Sequence, residues 1–286
     1  MRSKLFVPGS RPELFDKALK SDADALSFDL EDAVAEEKKA EARQHVKVFL
    51  EKEKSKTIIV RTNHVSTAHF VEDVKGIISN GLDILNIPKV ESVQEVLKAA
   101  QILETLEKEF EITKQIPILV NIESPKGLRL ASELAQSHSR VMGLQIGYGD
   151  LFSPLSIDRT NQSAIDQVMF SIRIAAGEAN IVALDGAYTN VANVDGFKDE
   201  ATKAKRYGFL GKSCIHPVQI AHANNIFRPS DEDIEYSLKV LEALRQEDKK
   251  GVGAFTVDGK MVDAPLFEQA KKIVNQAKKL GLINIE

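Results

Sequence analysis

"IPILVNIESPKG", residues 116–127, runs apolar side chains into a carboxylate at Glu123 and then breaks at Pro125 and Gly127. A short apolar run bounded by turn residues is the pattern of a strand buried on both faces. Seven other runs share it: "KLFVPG" (4–9), "ALSFDLED" (25–32), "TIIVRTN" (57–63), "DILNIPKV" (83–90), "VMGLQIGYGD" (141–150), "IVALDGAY" (181–188) and "GKSCIHP" (211–217). Between them lie segments of helical period. In "SVQEVLKAAQILETLEKEF", Val93, Val96, Leu97, Ala100 and Leu103 recur at three- and four-residue steps. Eight β-then-α units, each long enough for a right-handed crossover, predict an α/β chain closed into a parallel (β/α)₈ barrel over residues 1–230. An open, doubly wound sheet is the competing architecture.

Residues 231–286 exceed what the barrel needs and are expected to form a C-terminal extension. "DEDIEYSLKVLEALRQEDKKG" predicts a surface helix, its acidic start and basic end suiting the helix dipole. Gly251 and Gly253, a turn at Asp258 and Gly259, and another helix follow. The extension would serve as a cap or as a lid over the barrel.

Composition narrows the function classes. With 43% hydrophobic residues among 286 there is ample material for a core, and a net charge of -4 gives no basic field for nucleic acid. No run approaches the roughly 20 apolar residues of a membrane span, so no membrane partner is expected. One cysteine, Cys214, forms no internal disulfide, and "MRSKLFVPGS" lacks the apolar segment of a signal peptide. The expected compartment is the cytoplasm.

Barrel enzymes take their reactive groups from the C-terminal ends of strands. There the third run ends in Arg61-Thr62-Asn63, the fifth in Glu123-Ser124, the sixth in Gly147-Tyr148-Gly149-Asp150, and the second carries Asp29, Glu31 and Asp32. Strand interiors are expected to stay apolar. Glu123 and Asp150, on adjacent strands, would place two carboxylates on one divalent ion, a set that suits Mg²⁺. On spacing alone, Glu123 serves equally well as a helix cap and Asp150 as a loop hydrogen-bonding group. Arg61 would bind a ligand carboxylate or pair with Asp29, Glu31 or Asp32. Cys214 and His216 read most simply as a core thiol beside a satisfied histidine, and "GFLGKS" is no P-loop because Arg206 stands where its first glycine belongs. Lys38, Lys39 and the run 51–56 read as solvated helix faces.

"LFVPGSRPELFDKA", "FDLEDAV", "NIPKVES", "IESPKG", "GKSCIHPVQ" and "DGKMVDAP", in this order, resemble the citrate lyase β-subunit family of CoA-ester lyases, which includes malyl-CoA and citramalyl-CoA lyases. The resemblance spans about residues 2–270. It implies a TIM barrel assembled as homotrimers or hexamers, with Mg²⁺ on Glu123 and Asp150 and a substrate-polarising Arg61. It also implies CoA-side contacts at Arg11 and Lys17, and an acid, Asp263, inserted into a neighbouring subunit's site. Related pyruvate aldolases carry a histidine where this chain has Asp32, which favours the thioester-lyase branch.

The implied reaction is cleavage of a 3-hydroxy-3-carboxyacyl thioester of citryl, citramalyl or malyl type to acetyl-CoA and a 2-oxo acid. The carrier would be CoA or an acyl-carrier protein. A thioesterase acting on the same acyl-CoA and a scaffold subunit of a larger lyase complex are the alternatives.

Overall fold

Side chains of a strand alternate between its two faces, so each strand of a closed barrel writes two different environments into one run of residues. In the computed structural model, which describes residues 1–52, 55–247 and 254–284, eight parallel strands close in sequence order. They are β1 (Ser3–Pro8), β2 (Ala25–Asp29), β3 (Thr57–Arg61), β4 (Ile84–Ile87), β5 (Ile118–Ile122), β6 (Val141–Ile146), β7 (Val182–Asp185) and β8 (Gly211–Cys214). β8 pairs with β1, so the open-sheet alternative is excluded.

In β5, Ile118, Val120 and Ile122 join the large core between sheet and helices. Leu119 instead packs with Ala25, Ile59, Ile84 and Leu184 in a small separate cluster that floors the lumen. Two residues further along their strands the same parity gives Ser27, Asn86 and Asn121, all fully buried. The lumen above its floor is therefore polar, which corrects the expectation of apolar strand interiors. A side chain two positions past an inward-facing Leu or Ile must also face inward, whatever its chemistry.

Every strand stops short of its predicted C-terminal end, β1 by one residue, at Pro8. β6 ends at Ile146, and Tyr148–Phe152 is a short helix, so Asp150 lies on a helix and not on a strand. β5 likewise ends at Ile122, one residue before Glu123. The first residues beyond several ladders still bond to the neighbouring strand through the backbone, as Leu30 does to the Arg61 carbonyl and Gly147 to the Ile122 carbonyl. The helix Val93–Glu109 begins on a full capping box between Ser92 and Glu95, as its serine-to-glutamate spacing favours.

The chain divides into two compact units, Met1–Phe227 and Arg228–Glu286. The second unit contains the helices Asp231–Glu247 and Ala264–Lys279 and a hairpin, Phe255–Val257 with Lys260–Val262. Val240, Val257, Val262, Phe267 and Ala270 form its own core. Asp258 (φ 48°) and Gly259 (φ 77°) turn the hairpin in the left-handed region, as an Asp-Gly pair does readily. Gly251 and Gly253 lie outside the described residues. Among the described residues no helix is long and apolar enough to cross a membrane.

Candidate active site

Asp29 and Arg61 end adjacent strands and face each other in the β2–β3 ladder. Arg61 Nε and Nη2 donate to the two Asp29 oxygens at 2.8 and 2.6 Å, and Nη1 pairs with Glu31 Oε2 at 2.9 Å. The structural partners that the sequence left open for Arg61 are thus engaged. Burial works against the Arg61 charge, but Asp29 outweighs it and holds the guanidinium charged. Asp29 is buried too, and Arg61 together with the Glu31 and Ala33 amides keeps its carboxyl below the usual range. Glu31 fares differently: burial lifts its pKa to about 7 despite Arg61.

Glu123 does not cap the next helix, because Ser124 Oγ does so by accepting from the Gly127 amide at 3.0 Å. Its Oε1 accepts from Asn121 Nδ2 at 2.6 Å, while Oε2 is buried without a partner. A β-carbon at residue 147 would lie 2.4 Å from Glu123 Cγ, so only glycine lets the carboxylate sit there. Burial raises the Glu123 pKa, with Arg61 opposing and Asp150 adding to the rise. Asp150 is half-exposed and 3.4 Å from Lys89 Nζ.

Lys89, which sequence reasoning missed, also reaches Glu31 at 2.9 Å and Asp32 at 3.0 Å. Its backbone is left-handed (φ 51°), a strained setting for a lysine of the kind that clusters at functional sites. The available signal was its place just past the end of β4. Arg159, in the segment between the helices Tyr148–Phe152 and Gln162–Glu178, lies over the Tyr148 ring at 4.2 Å and is held by both oxygens of Glu200. Glu200 is shared with Lys212, which is fully buried and also donates to Asp185 at 2.5 Å. Burial opposes the Lys212 charge, but the two carboxylates outweigh it and keep the lysine protonated.

A cavity of about 530 Å³ is lined by Phe6, Asp32, Arg61, Glu123, Asp150 and Arg159, among others. Two carboxylates, one of them with a buried and unpartnered oxygen, fit a hard cation that keeps several waters. Among the described residues no group of three or more His, Cys, Asp or Glu is arranged around one point.

Arg11 pairs with Glu13, and both Arg11 and Lys17 are exposed and do not line the cavity. Asp263 belongs to the second unit, where it accepts from the Leu266 amide at the start of the last helix. Burial pushes the Cys214 thiol up to about 12, and exposed His216 accepts from the Val218 amide. Both facts agree with a core thiol. Lys39, expected to be solvated, is instead buried and donates to the Leu30 and Glu31 carbonyls. A four-carbon stem lets its ammonium reach carbonyls freed where β2 ends. Residues 53 and 54 of the charged run fall outside the described residues.

Residues 2–217 match the model of the HpcH/HpaI aldolase/citrate lyase family. The chain is 35% identical to the citrate lyase subunit beta of Haemophilus influenzae, over 97% of each chain. It is 31% identical to a (3S)-malyl-CoA thioesterase of Cereibacter sphaeroides, over 98% of this chain and 95% of that one. Among solved structures it is similar to protein CitE from Mycobacterium tuberculosis in complex with magnesium, acetoacetate and coenzyme A. The TM-score is 0.76 at 29% identity, covering 97% of this chain and 100% of that one.

Proposed function

The chain belongs to the HpcH/HpaI aldolase/citrate lyase family, as its six motifs implied, and on that premise we propose that it is a Mg²⁺-dependent CoA-ester lyase. Its substrate would be a 3-hydroxy-3-carboxyacyl thioester of citryl, citramalyl or malyl type, cleaved to acetyl-CoA and a 2-oxo acid. The observation that carries this reading is the buried, unpartnered Glu123 Oε2, which shares a cavity with Asp150 and Arg61. An orphaned carboxylate oxygen is costly unless a ligand completes it.

Glu123 and Asp150 would hold Mg²⁺, whose Lewis acidity polarises the hydroxyl and carboxylate oxygens that it meets. Arg61 has five N–H groups. Two of them are donated to Asp29 and Nη1 pairs with Glu31, which leaves donors for negative charge gathering on substrate oxygen. The rigid pairing fixes the guanidinium plane before substrate arrives, which is where electrostatic catalysis gains most. When the 3-hydroxyl gives up its proton to water, its oxygen forms the C3=O bond, the electrons of the C2–C3 bond pass to C2 and the 2-oxo acid departs. The thioester enolate left behind takes a proton, and Asp263 is the group proposed to deliver it, from an adjacent subunit of a trimer or hexamer. Arg11 and Lys17 are proposed to meet the CoA end.

Incubating the chain with citryl-, citramalyl- and malyl-CoA, with Mg²⁺ or with chelator, tests the proposal. Acetyl-CoA and a 2-oxo acid are expected from one of them, and only with the metal. Free CoA with an intact hydroxy acid would favour the thioesterase reading that the Cereibacter relative raises. No turnover of any of them would point to a carrier-protein thioester or to a scaffold role.

A further inference from the structure

Burying a lysine and two carboxamides inside a barrel is costly, and leucine or valine would fill the same space more cheaply. Yet inside the lumen Lys4, Asn86 and Asn121 are each at most 1% exposed. Lys4 Nζ donates to Asn86 Oδ1 at 3.5 Å, and Asn86 Nδ2 donates to Asn121 Oδ1 at 2.7 Å. Asn121 Nδ2 then donates to Glu123 Oε1 at 2.6 Å. Asn86 Nδ2 gives its second hydrogen to the Leu119 carbonyl at 3.0 Å.

The direction of this chain is set at the Leu119 carbonyl, which only accepts and so holds the Asn86 nitrogen on the side of Asn121. The Asn86 oxygen must therefore face Lys4, its nitrogen must face Asn121, and the Asn121 nitrogen is left for Glu123. Turning either amide over would set oxygen against oxygen or nitrogen against nitrogen in a site without solvent, leaving buried groups unsatisfied. The consequence falls on Glu123. Its Oε1 is claimed from within the lumen and its Cγ rests against Gly147, so the free oxygen is Oε2.

We propose that Lys4, Asn86 and Asn121 are positioning residues, a directed hydrogen-bond chain through the lumen that fixes Glu123 with Oε2 free to bind the metal. The proposal rests on the reading of Glu123 as a metal ligand. It predicts that metal affinity responds to residues that never touch the metal, as partners behind metal ligands do.

The test is titration of Mn²⁺, as a paramagnetic substitute for Mg²⁺, into the folded full-length chain, with free ion counted by electron paramagnetic resonance. Melting curves verify that each variant is folded at the working temperature. Glu123→Gln reports on the site itself. Asn121→Leu, near in size and without donors, should weaken Mn²⁺ about 10- to 100-fold. Lys4→Met should weaken it severalfold, because the buried Asn86 oxygen loses its donor and the chain its first link. The double variant should bind no more weakly than Asn121→Leu alone, since the chain is already cut, whereas independent packing defects would add.

If Glu123→Gln loses the ion while Asn121→Leu and Lys4→Met bind like wild type, the positioning proposal is overturned and the site reading stands. If Glu123→Gln also binds like wild type, the site reading fails and takes the proposal with it. Should Asn121→Leu not fold, unchanged affinity in Lys4→Met alone overturns the proposal.

Discussion

Arg61 commits its Nε and Nη2 to Asp29 and its Nη1 to Glu31, and still forms part of the cavity wall. The two readings that its sequence position allowed are therefore not exclusive, and one substitution separates their sizes. Arg61→Lys keeps the charge but loses the planar fork, so it should lower kcat about 10²-fold, the scale for one oriented donor. It should also cost stability, because buried Asp29 loses a two-point partner. Rates measured well below the melting temperature distinguish the effects: an unchanged rate there would reduce Arg61 to an ion-pair partner. Glu31 supplies a prediction in pH. Burial lifts its folded pKa to about 7 from 4.5, so between those values the folded chain binds more protons than the unfolded one. Stability should then fall as pH rises across that window, by up to about 3 kcal/mol for a shift of this size. Denaturant titrations of wild type and Glu31→Gln from pH 4.5 to 8 check it. The difference between the two proteins should change through the window and level off above it, and a difference independent of pH would refute the assignment to Glu31.

At the scale of elements, most strands were legible because each is largely a run of apolar letters stopped by Gly, Pro or charge, whereas β8, Gly-Lys-Ser-Cys, is read from its place after the helix Val194–Arg206. Their ends were not, since "NIES" and "IGYGD" look like continuing strand until the ladder partner is known. Register also hid the Asp29–Arg61 pair, which depends on a strand-to-strand alignment that one sequence does not display. The amide layer of the lumen was hidden for another reason. Lys4, Asn86 and Asn121 are single polar letters inside apolar runs, and only the parity of each strand reveals that they share one space. Glu123 and Asp150 were found by position at strand ends, whereas Lys89 and Arg159 needed side chains long enough to cross between loops. The two glycines before Asp150 make a test at this scale. Gly147→Ala would press a methyl against Glu123 Cγ at 2.4 Å, while at Gly149 a β-carbon meets nothing within 4 Å. Gly147→Ala should therefore weaken Mn²⁺ binding more than about tenfold by moving the carboxylate. Gly149→Ala, in a short helix, should leave binding intact and stabilise by about 0.5 kcal/mol. Equal binding by the two variants would contradict the placement of Glu123 over Gly147.

At the scale of the whole molecule, Asp263 is the one proposed reacting group outside the barrel unit, and action on its own barrel or on a neighbouring one can be separated by mixing variants. Its side chain accepts from the Leu266 amide at the start of the helix Ala264–Lys279. Asparagine caps a helix about as well as aspartate, so Asp263→Asn should fold normally while losing the ability to give or take a proton. Glu123→Gln should likewise fold and lack the metal site. Each chain is expected to be nearly inactive alone, and each retains what the other lacks. If Asp263 acts in a neighbouring barrel, unfolding and refolding the two variants together gives mixed oligomers in which some sites join an intact Glu123 to an intact Asp263. Activity should then return in part, rising with the mixing ratio to a maximum near equal amounts. If Asp263 serves its own barrel, every site in the mixture carries one defect and nothing returns. Native mass spectrometry of the mixture decides whether subunits have exchanged, so a mixture that exchanges and stays inactive excludes action in trans. A fully active wild-type monomer at high dilution would exclude it without any variant.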